Sequence, residues 1–130
     1  MAWPDDTLPA TRMEAHFGDR VVRCFTDRPG SLIAMLTDAV DRNPDGDAVV
    51  CGDRRLSYRQ LGEEVDRLAA GLVERGIRPG DRVALLLGNR VEFVTSLYAV
   101  ARLGAIAVPL SVREQKPGLD YVLDDCGASL

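Results

Sequence analysis

The chain has 130 residues, which is enough for one domain with a hydrophobic core of its own. Its 16 basic and 20 acidic residues give a formal net charge of -4 and form no basic stripe, so we expect no nucleic-acid partner. No apolar run is long enough to cross a bilayer and the start has no signal-peptide pattern, so we predict no membrane span. Cys24, Cys51 and Cys126 are scattered without a C-x-x-C pair, which predicts a cytoplasmic protein whose cysteines are small buried groups.

Residues 1–30 are predicted to form an N-terminal arm. The segments Trp3–Asp6 and Leu8-Pro9 indicate irregular structure, whereas two consecutive valines indicate a short strand from Arg20 to Phe25. The one histidine is His16. We interpret it as an ordinary exposed or packing residue rather than a catalytic base, because no motif places a serine or cysteine beside it.

Residues 31–130 are predicted to form an α/β subdomain that starts with a helix at Ser31 and ends that helix at Asn43-Pro44. A β-hairpin follows, with Ala48–Cys51 and Arg55-Leu56 as its strands. Ser57 and Gln60 have the spacing of a capping box and begin a second helix. That helix is predicted to run to Arg75 and to stop at Gly76 in a left-handed conformation.

A strand–helix–strand unit is predicted at the centre of the subdomain. The strands are Arg82–Leu87 and Ala105–Leu110, and the helix runs from Arg90 to Arg102 with Asn89 as its N-cap. Short joints between these elements predict a right-handed crossover between parallel strands. A last helix from Pro117 to Gly127 precedes the start of another strand. Together the elements predict a three-layer α/β/α fold with a mainly parallel sheet plus an N-terminal β-hairpin.

Three features of the sequence are candidate binding sites. The pair Gly88-Asn89 lies where a parallel strand meets a helix, but the chain has no G-x-G-x-x-G or G-x-x-x-x-G-K-[ST] motif, so we favour a structural turn over a phosphate site. Asp124-Asp125 lacks further clustered ligands, so we favour a solvated helix face over a metal site. Tyr58 and Tyr98 have helical positions typical of core residues.

A series of short segments in this chain resembles the N-terminal part of the adenylate-forming acyl-CoA synthetases, also called AMP-binding enzymes. Each segment is weakly specific alone, but their order and spacing together are specific, and they cover about three-quarters of the chain. They are Arg42–Pro44, Asp47–Val50, Leu56–Leu61, Leu68–Leu72, Arg75–Val83, Asn89–Phe93 and Leu103–Leu110.

The resemblance implies an intact enzyme that uses ATP and Mg²⁺ to convert a carboxylic acid to an acyl-adenylate and then transfers the acyl group to coenzyme A. In that family the phosphate loop, the acidic Mg²⁺ ligand, the ribose-binding aspartate and the mobile lysine lie beyond the part that this sequence matches. We therefore assign no catalytic, cofactor-binding or metal residue to residues 1–130, and we expect this truncated domain to bind no cofactor and to be inactive alone.

Two other functions stay open from the sequence. One is a stand-alone, non-catalytic α/β interaction module derived from the same fold, and the other is a small nucleotide-binding domain that uses Gly88-Asn89. We also expect a domain cut short at Leu130 to self-associate, with a dimer favoured. The helix from Arg90 to Arg102 is the expected contact. It is apolar nearly all round apart from Arg102 and a polar stripe that begins at Glu92 and continues through Thr95 and Ser96.

Overall fold

The computed structural model describes residues 9–130, so the irregular structure expected for Trp3–Asp6 and Leu8 lies outside the described residues. The chain divides into two compact units, one that ends at Gly30 and one that spans Ser31–Leu130. In chain order the elements are β1 (Thr11–His16), β2 (Arg20–Phe25), α1 (Leu32–Arg42), β3 (Asp47–Cys51), β4 (Arg54–Ser57), α2 (Tyr58–Glu74), β5 (Arg82–Leu85), α3 (Val91–Arg102), β6 (Ile106–Pro109) and α4 (Lys116–Cys126).

The first unit is an antiparallel hairpin of β1 and β2. Its register pairs Thr11 with Phe25 and His16 with Arg20. The turn between the strands uses two residues with positive φ, Phe17 at 54° and Gly18 at 90°. Strand β2 forms where the sequence predicted it, but the sequence did not predict its partner β1. None of the described residues of this unit is buried.

The helix boundaries of the second unit follow from local capping groups. The capping box is confirmed, since Ser57 Oγ accepts from the Gln60 N–H at 3.3 Å and Gln60 Oε1 accepts from the Ser57 N–H at 2.9 Å. Gly76 has φ 88° after the last turn of α2, and the Ile77 N–H donates to the Leu72 carbonyl at 3.1 Å. This is the predicted left-handed stop, and it turns the chain towards β5.

Strands β5 and β6 are parallel, as predicted, with Arg82 opposite Ile106 and Leu85 opposite Pro109. Both strands are shorter than predicted. The last hydrogen bond of their ladder runs from the Leu110 N–H to the Leu85 carbonyl at 3.0 Å. The other edge of β5 contacts the end of the described chain. The Ser129 N–H donates to the Arg82 carbonyl and the Ala84 N–H donates to the Leu130 carbonyl, both at 2.8 Å. Strand β5 is therefore hydrogen-bonded on both edges, in agreement with the strand expected to begin near residue 128.

Two predictions about α3 are wrong. Its N-cap is Arg90 rather than Asn89, and no side chain caps the first turn. Thr95 does not belong to an exposed polar stripe, since it is 6 % exposed. Its hydroxyl donates to the Val91 carbonyl one turn earlier at 3.1 Å, so a polar side chain is buried without an unsatisfied donor.

The core of the second unit is centred on α3, which packs against α1, α2, β3, β5 and β6. Val91, Ala99 and Val100 are at most 2 % exposed, and no large hydrophobic side chain of α3 is exposed. The expectation that α3 would be left uncovered is therefore wrong, because the chain itself covers this helix. The buried apolar residues are Leu36, Leu56, Leu61, Val65, Ala69, Leu72, Ile77, Val83, Leu85, Val91, Ala99 and Val100.

Arg82 links the sheet to α4. Its Nε donates to the Cys126 carbonyl at 2.8 Å and its Nη2 to the Gly127 carbonyl at 2.7 Å, at the end of the helix where carbonyl groups lack intrahelical partners. Val83 and Leu85 point into the core, and Arg82 points to the opposite face because side chains alternate along a strand. The unit is thus of the predicted α/β class. Helix α4 buries no residue, and the two hydrogen bonds from Arg82 link the end of this helix to the sheet.

Candidate functional site

The carboxyl end of β5 is the edge at which the sequence placed a candidate ligand site. Residues 86–90 lead from the strand into α3, and beside them lies a cleft of about 270 Å³ between the β3–β4 hairpin and α3. The cleft is mostly apolar. It is lined by Val49, Val50, Cys51, Asn89, Arg90, Phe93 and Val94.

Two polar side chains of this cleft, Cys51 and Arg90, have protein partners. The Cys51 thiol donates to the Asn89 carbonyl at 3.7 Å, which fastens the β3–β4 hairpin to the segment before α3. Arg90 Nε lies 3.5 Å from Glu92 Oε2, so an acidic side chain offsets its positive charge. A nucleotide site needs several donors that converge on phosphate oxygens. Among the side chains that line the cleft, only those of Asn89 and Arg90 carry nitrogen donors.

Glu92 joins a small network of charges outside the cleft. It accepts from Arg54 Nη1 at 2.7 Å, and Arg54 Nη2 donates to Glu64 at 2.8 Å, so one guanidinium connects β4, α2 and α3. A hydrogen bond from its own backbone N–H lowers the pKa of Glu92, and the neighbouring Arg54 and Arg90 lower it further. The network is exposed to solvent and holds elements together rather than a ligand.

Gly88 shows no requirement for glycine. Its φ is not positive, and a Cβ built there would meet no atom within 4 Å. In phosphate-binding loops glycine allows the backbone to approach a ligand or to adopt a left-handed conformation, and neither condition applies here. The geometry favours the structural turn over the phosphate site at Gly88-Asn89.

The other candidates from the sequence behave as packing or surface residues. Tyr58 and Tyr98 are partly buried against the core of the second unit. Asp124 and Asp125 are exposed on α4, and within residues 9–130 neither joins a group of three potential metal ligands. Cys24, Cys51 and Cys126 are free and only partly buried, less deeply than the sequence predicted.

The β1–β2 hairpin contains a polar cluster that the sequence did not reveal. His16 Nε2 lies 3.2 Å from Glu14 Oε2 and 3.5 Å from Cys24 Sγ. The Glu14 carboxylate also accepts from Arg12 Nε at 2.6 Å and from Arg28 Nη2 at 2.6 Å. The hydrogen bonds from Arg28 and Arg12 lower the pKa of Glu14 to about 2, so the carboxylate is ionised at neutral pH.

This cluster is not a catalytic triad. In a triad one imidazole nitrogen contacts the nucleophile and the other contacts the carboxylate. Here both contacts use Nε2 of His16, so the thiol and the carboxylate share one nitrogen. The grouping escaped prediction because Cys24 is eight residues from His16, and β1, with the sequence TRMEAH, shows little β propensity.

No helix among residues 9–130 has the length and hydrophobicity to cross a bilayer.

Residues 36–130 match the family described as AMP-binding enzyme. The chain is 38 % identical over 95 residues to a medium/long-chain-fatty-acid–CoA/3-oxocholest-4-en-26-oate–CoA ligase of Mycobacterium marinum, a match that covers 73 % of this chain and 17 % of the relative. It is 44 % identical over 88 residues to a feruloyl-CoA synthase of an Amycolatopsis species. This match covers 68 % of this chain and 18 % of the relative. The chain thus spans less than a fifth of the length of these relatives.

The fold agrees with this sequence match. A fatty acyl CoA synthetase structure from Mycobacterium tuberculosis superposes with a TM-score of 0.72 at 38 % identity, over 75 % of this chain and 20 % of that one. Both the sequence match and the structural match cover about three-quarters of the chain.

Proposed function

The chain belongs to the family of AMP-binding enzymes, and from this premise we propose that it is the N-terminal part of an ATP-dependent acyl-CoA synthetase. The intact enzyme activates a carboxylic acid as an acyl-adenylate with ATP and Mg²⁺ and transfers the acyl group to coenzyme A. The observation that carries the proposal is the match of residues 36–130 to the family. The relatives named as a fatty-acid–CoA ligase and a feruloyl-CoA synthase support an acid–thiol ligase in particular.

Residues 9–130 contribute framework to this reaction and no reacting group. Their one nucleotide candidate, the edge at Gly88-Asn89, lies beside an apolar cleft whose cation Arg90 is paired with Glu92. ATP, Mg²⁺ and coenzyme A do not fit this donor set. We therefore derive no chemical step from it and propose that the 130 residues alone have no adenylation activity.

The contribution of the second unit is mechanical. Formation of the acyl-adenylate depends on groups held in fixed positions around the phosphates and the carboxylate. Strand β5 is hydrogen-bonded on both edges and packs against α3. The Arg54 network fastens β4 to α2 and α3. Such a framework supports neighbouring loops without contacting the substrate.

The proposed self-association uses a different surface from the one expected from the sequence, because α3 is covered. Leu86 and Leu130 are about half exposed, and both line an apolar groove of about 240 Å³ with Leu68 and Leu72 of α2. We propose this groove as the contact of a dimer in the cytoplasm. Sedimentation of Leu86→Asp beside the unsubstituted chain tests it, with a shift from dimer to monomer expected.

Two measurements test the catalytic proposal. The coding sequence beyond the Leu130 codon is expected to encode a Gly/Ser/Thr-rich phosphate loop that ends in Lys-Gly within several dozen codons. A stop codon before such a loop would contradict the synthetase assignment. Separately, the 130-residue chain is expected to give no ATP–pyrophosphate exchange with a panel of fatty, aromatic and amino acids. Exchange above the enzyme-free rate would show that these residues do hold ATP.

A further inference from the structure

Three side chains with metal-binding atoms converge on one face of the β1–β2 hairpin. Glu14, His16 and Cys24 each offer one ligand atom, and the three atoms lie within 4.8 Å of one another. The ligase reaction proposed above does not use them. We propose that these residues form a binding site for Zn²⁺, with water in the fourth position of a tetrahedron.

Two of the three distances between the ligand atoms, those from His16 Nε2, fit this ion, and the third lies within 4.8 Å. Zinc bonds of about 2.3 Å to sulfur and about 2.0–2.1 Å to nitrogen and oxygen place tetrahedral ligands about 3.5 Å apart for sulfur and nitrogen and about 3.3 Å apart for nitrogen and oxygen. Cys24 Sγ lies 3.5 Å from His16 Nε2, and His16 Nε2 lies 3.2 Å from Glu14 Oε2. The ring nitrogen is therefore already at the separation from both partners that a shared zinc ion requires.

The ligand types also fit. An imidazole nitrogen and a thiolate are preferred zinc ligands, and a carboxylate is an accepted third ligand. Zinc binding releases the thiol proton of Cys24 to solvent, so that the ligands Cys24 and Glu14 carry two negative charges and neutralise the ion.

Two arginines face the site and restrict how zinc binds. Arg12 Nε at 2.6 Å and Arg28 Nη1 at 3.1 Å both donate to Oε1 of Glu14, the oxygen that does not face His16. Arg28 Nη2 donates to Oε2 at 2.6 Å, so this hydrogen bond and the zinc ion compete for the lone pairs of that oxygen. Arg28 stays anchored through its bond to the Phe25 carbonyl at 2.7 Å. The two guanidinium groups then act as outer partners that orient the carboxylate.

The site is accessible and its ligands lie on regular strands. The side chain of His16 is 36 % exposed and that of Glu14 is 17 % exposed, so an ion and its water reach the site from solvent. Glu14 and His16 alternate along β1 and so share one face, and the antiparallel register places β2 beside them. Backbone hydrogen bonds between the strands hold the ligands near their binding positions before metal arrives.

Cobalt(II) titration of the reduced 130-residue chain tests the site. We expect a thiolate-to-cobalt charge-transfer band together with tetrahedral ligand-field bands, and displacement of cobalt by stoichiometric zinc. Cys24→Ser is expected to remove the charge-transfer band. His16→Gln is expected to weaken cobalt binding at least about tenfold, since loss of an outer partner alone costs that much at zinc sites. Cys51→Ser and Cys126→Ser are the matched controls and should bind as the unsubstituted chain does.

Nuclear magnetic resonance separates loss of the site from loss of the hairpin. The Nε2 resonance of His16 should shift on zinc addition, and cross-strand contacts between β1 and β2 report whether each variant still folds. No charge-transfer band, a band that survives in Cys24→Ser, or one lost equally in Cys51→Ser would overturn the proposal. So would binding seen only at millimolar zinc.

Discussion

Different interactions stabilise the hairpin of residues 9–30 and the unit of residues 31–130. No described residue of the hairpin is buried, and Met13, Phe17, Val21 and Phe25 are at least half exposed. Its strands are joined by a backbone ladder, and the ion pair of Glu14 with Arg28 links β1 to the segment that follows β2. The second unit instead buries twelve apolar side chains in one cluster. Two-stranded hairpins are marginally stable in water, so the comparison indicates that polar contacts decide the stability of the first unit and apolar burial decides that of the second.

The largest expected effect tests burial in the second unit. Leu85 is 5 % exposed, whereas its neighbour Leu86 is 47 % exposed. Leu85→Ala should lower the free energy of unfolding by about 2–5 kcal/mol, because it leaves a cavity between β5 and α3. Leu86→Ala is the matched control and should cost less than about 1 kcal/mol. Denaturant midpoints of the two variants decide this, and equal midpoints would show that β5 does not lie in the core.

The next effect concerns a polar contact that supports the second unit. Ser57→Ala removes the acceptor for the Gln60 N–H and should destabilise the chain by about 1 kcal/mol. Ser96→Ala, inside α3, removes no hydrogen bond that caps a helix and should have little effect. Thermal unfolding followed by circular dichroism compares the two. If Ser57→Ala lowered the stability as much as Leu85→Ala does, apolar burial would not be the main source of stability in the second unit.

Acid should affect the hairpin through Glu14. Its pKa is lowered from 4.5 to about 2 by hydrogen bonds from Arg28 and Arg12. The folded form therefore binds its proton less readily than the unfolded form. The stabilisation is fully present above about pH 4.5 and is lost as the pH falls towards 2. Cross-strand contacts of β1 and β2, followed by nuclear magnetic resonance, should fade across that interval.

Glu14→Gln is the control for the acid effect. The substituted side chain cannot titrate, so its hairpin should show the same population at pH 5 and pH 2.5. An acid transition of equal size in Glu14→Gln would mean that another group controls the hairpin.

The smallest expected effect concerns the candidate ligand edge. Gly88→Ala should change the free energy of unfolding by less than about 0.5 kcal/mol, because the added methyl group meets open space. Gly76→Ala is the contrasting variant, since φ is 88° there and alanine is strained. Denaturant titration of both variants checks the contrast. A large loss for Gly88→Ala alone would indicate a backbone requirement at the end of β5.

Features fixed by neighbouring residues were predictable from the sequence. The capping box at Ser57 and Gln60 and the stop at Gly76 depend on residues within one or two helical turns, and both formed as predicted. The parallel pairing of β5 and β6 was predictable because a short crossover helix leaves few alternatives. The family resemblance rested on segments within residues 31–130, the part that the family match covers almost entirely.

Features that depend on distant partners were not predictable. Thr95 counts as polar in any pattern, yet it is buried because distant elements pack around α3, and its hydroxyl finds a partner within its own helix. The polar cluster of Glu14, His16 and Cys24 depends on the register of a hairpin whose first strand has no β pattern. The covering of α3 depends on α1 and α2, whose positions no local signal specifies.

The hydrogen bonds on both edges of β5 have a consequence for synthesis on the ribosome. Strand β5 emerges before β6 and before residues 129–130, which form hydrogen bonds with its two edges. The carbonyl of Leu130, which accepts from the Ala84 N–H, is synthesised long after Ala84. At about 5–20 residues per second, the strand waits about 2–9 seconds for that partner. Through this interval the nascent chain exposes an apolar strand edge, which is the kind of surface that chaperones bind and that aggregation uses. Helix α3, which packs against β5, also emerges after the strand, so the face of β5 that this helix covers stays open as well until α3 has left the ribosome.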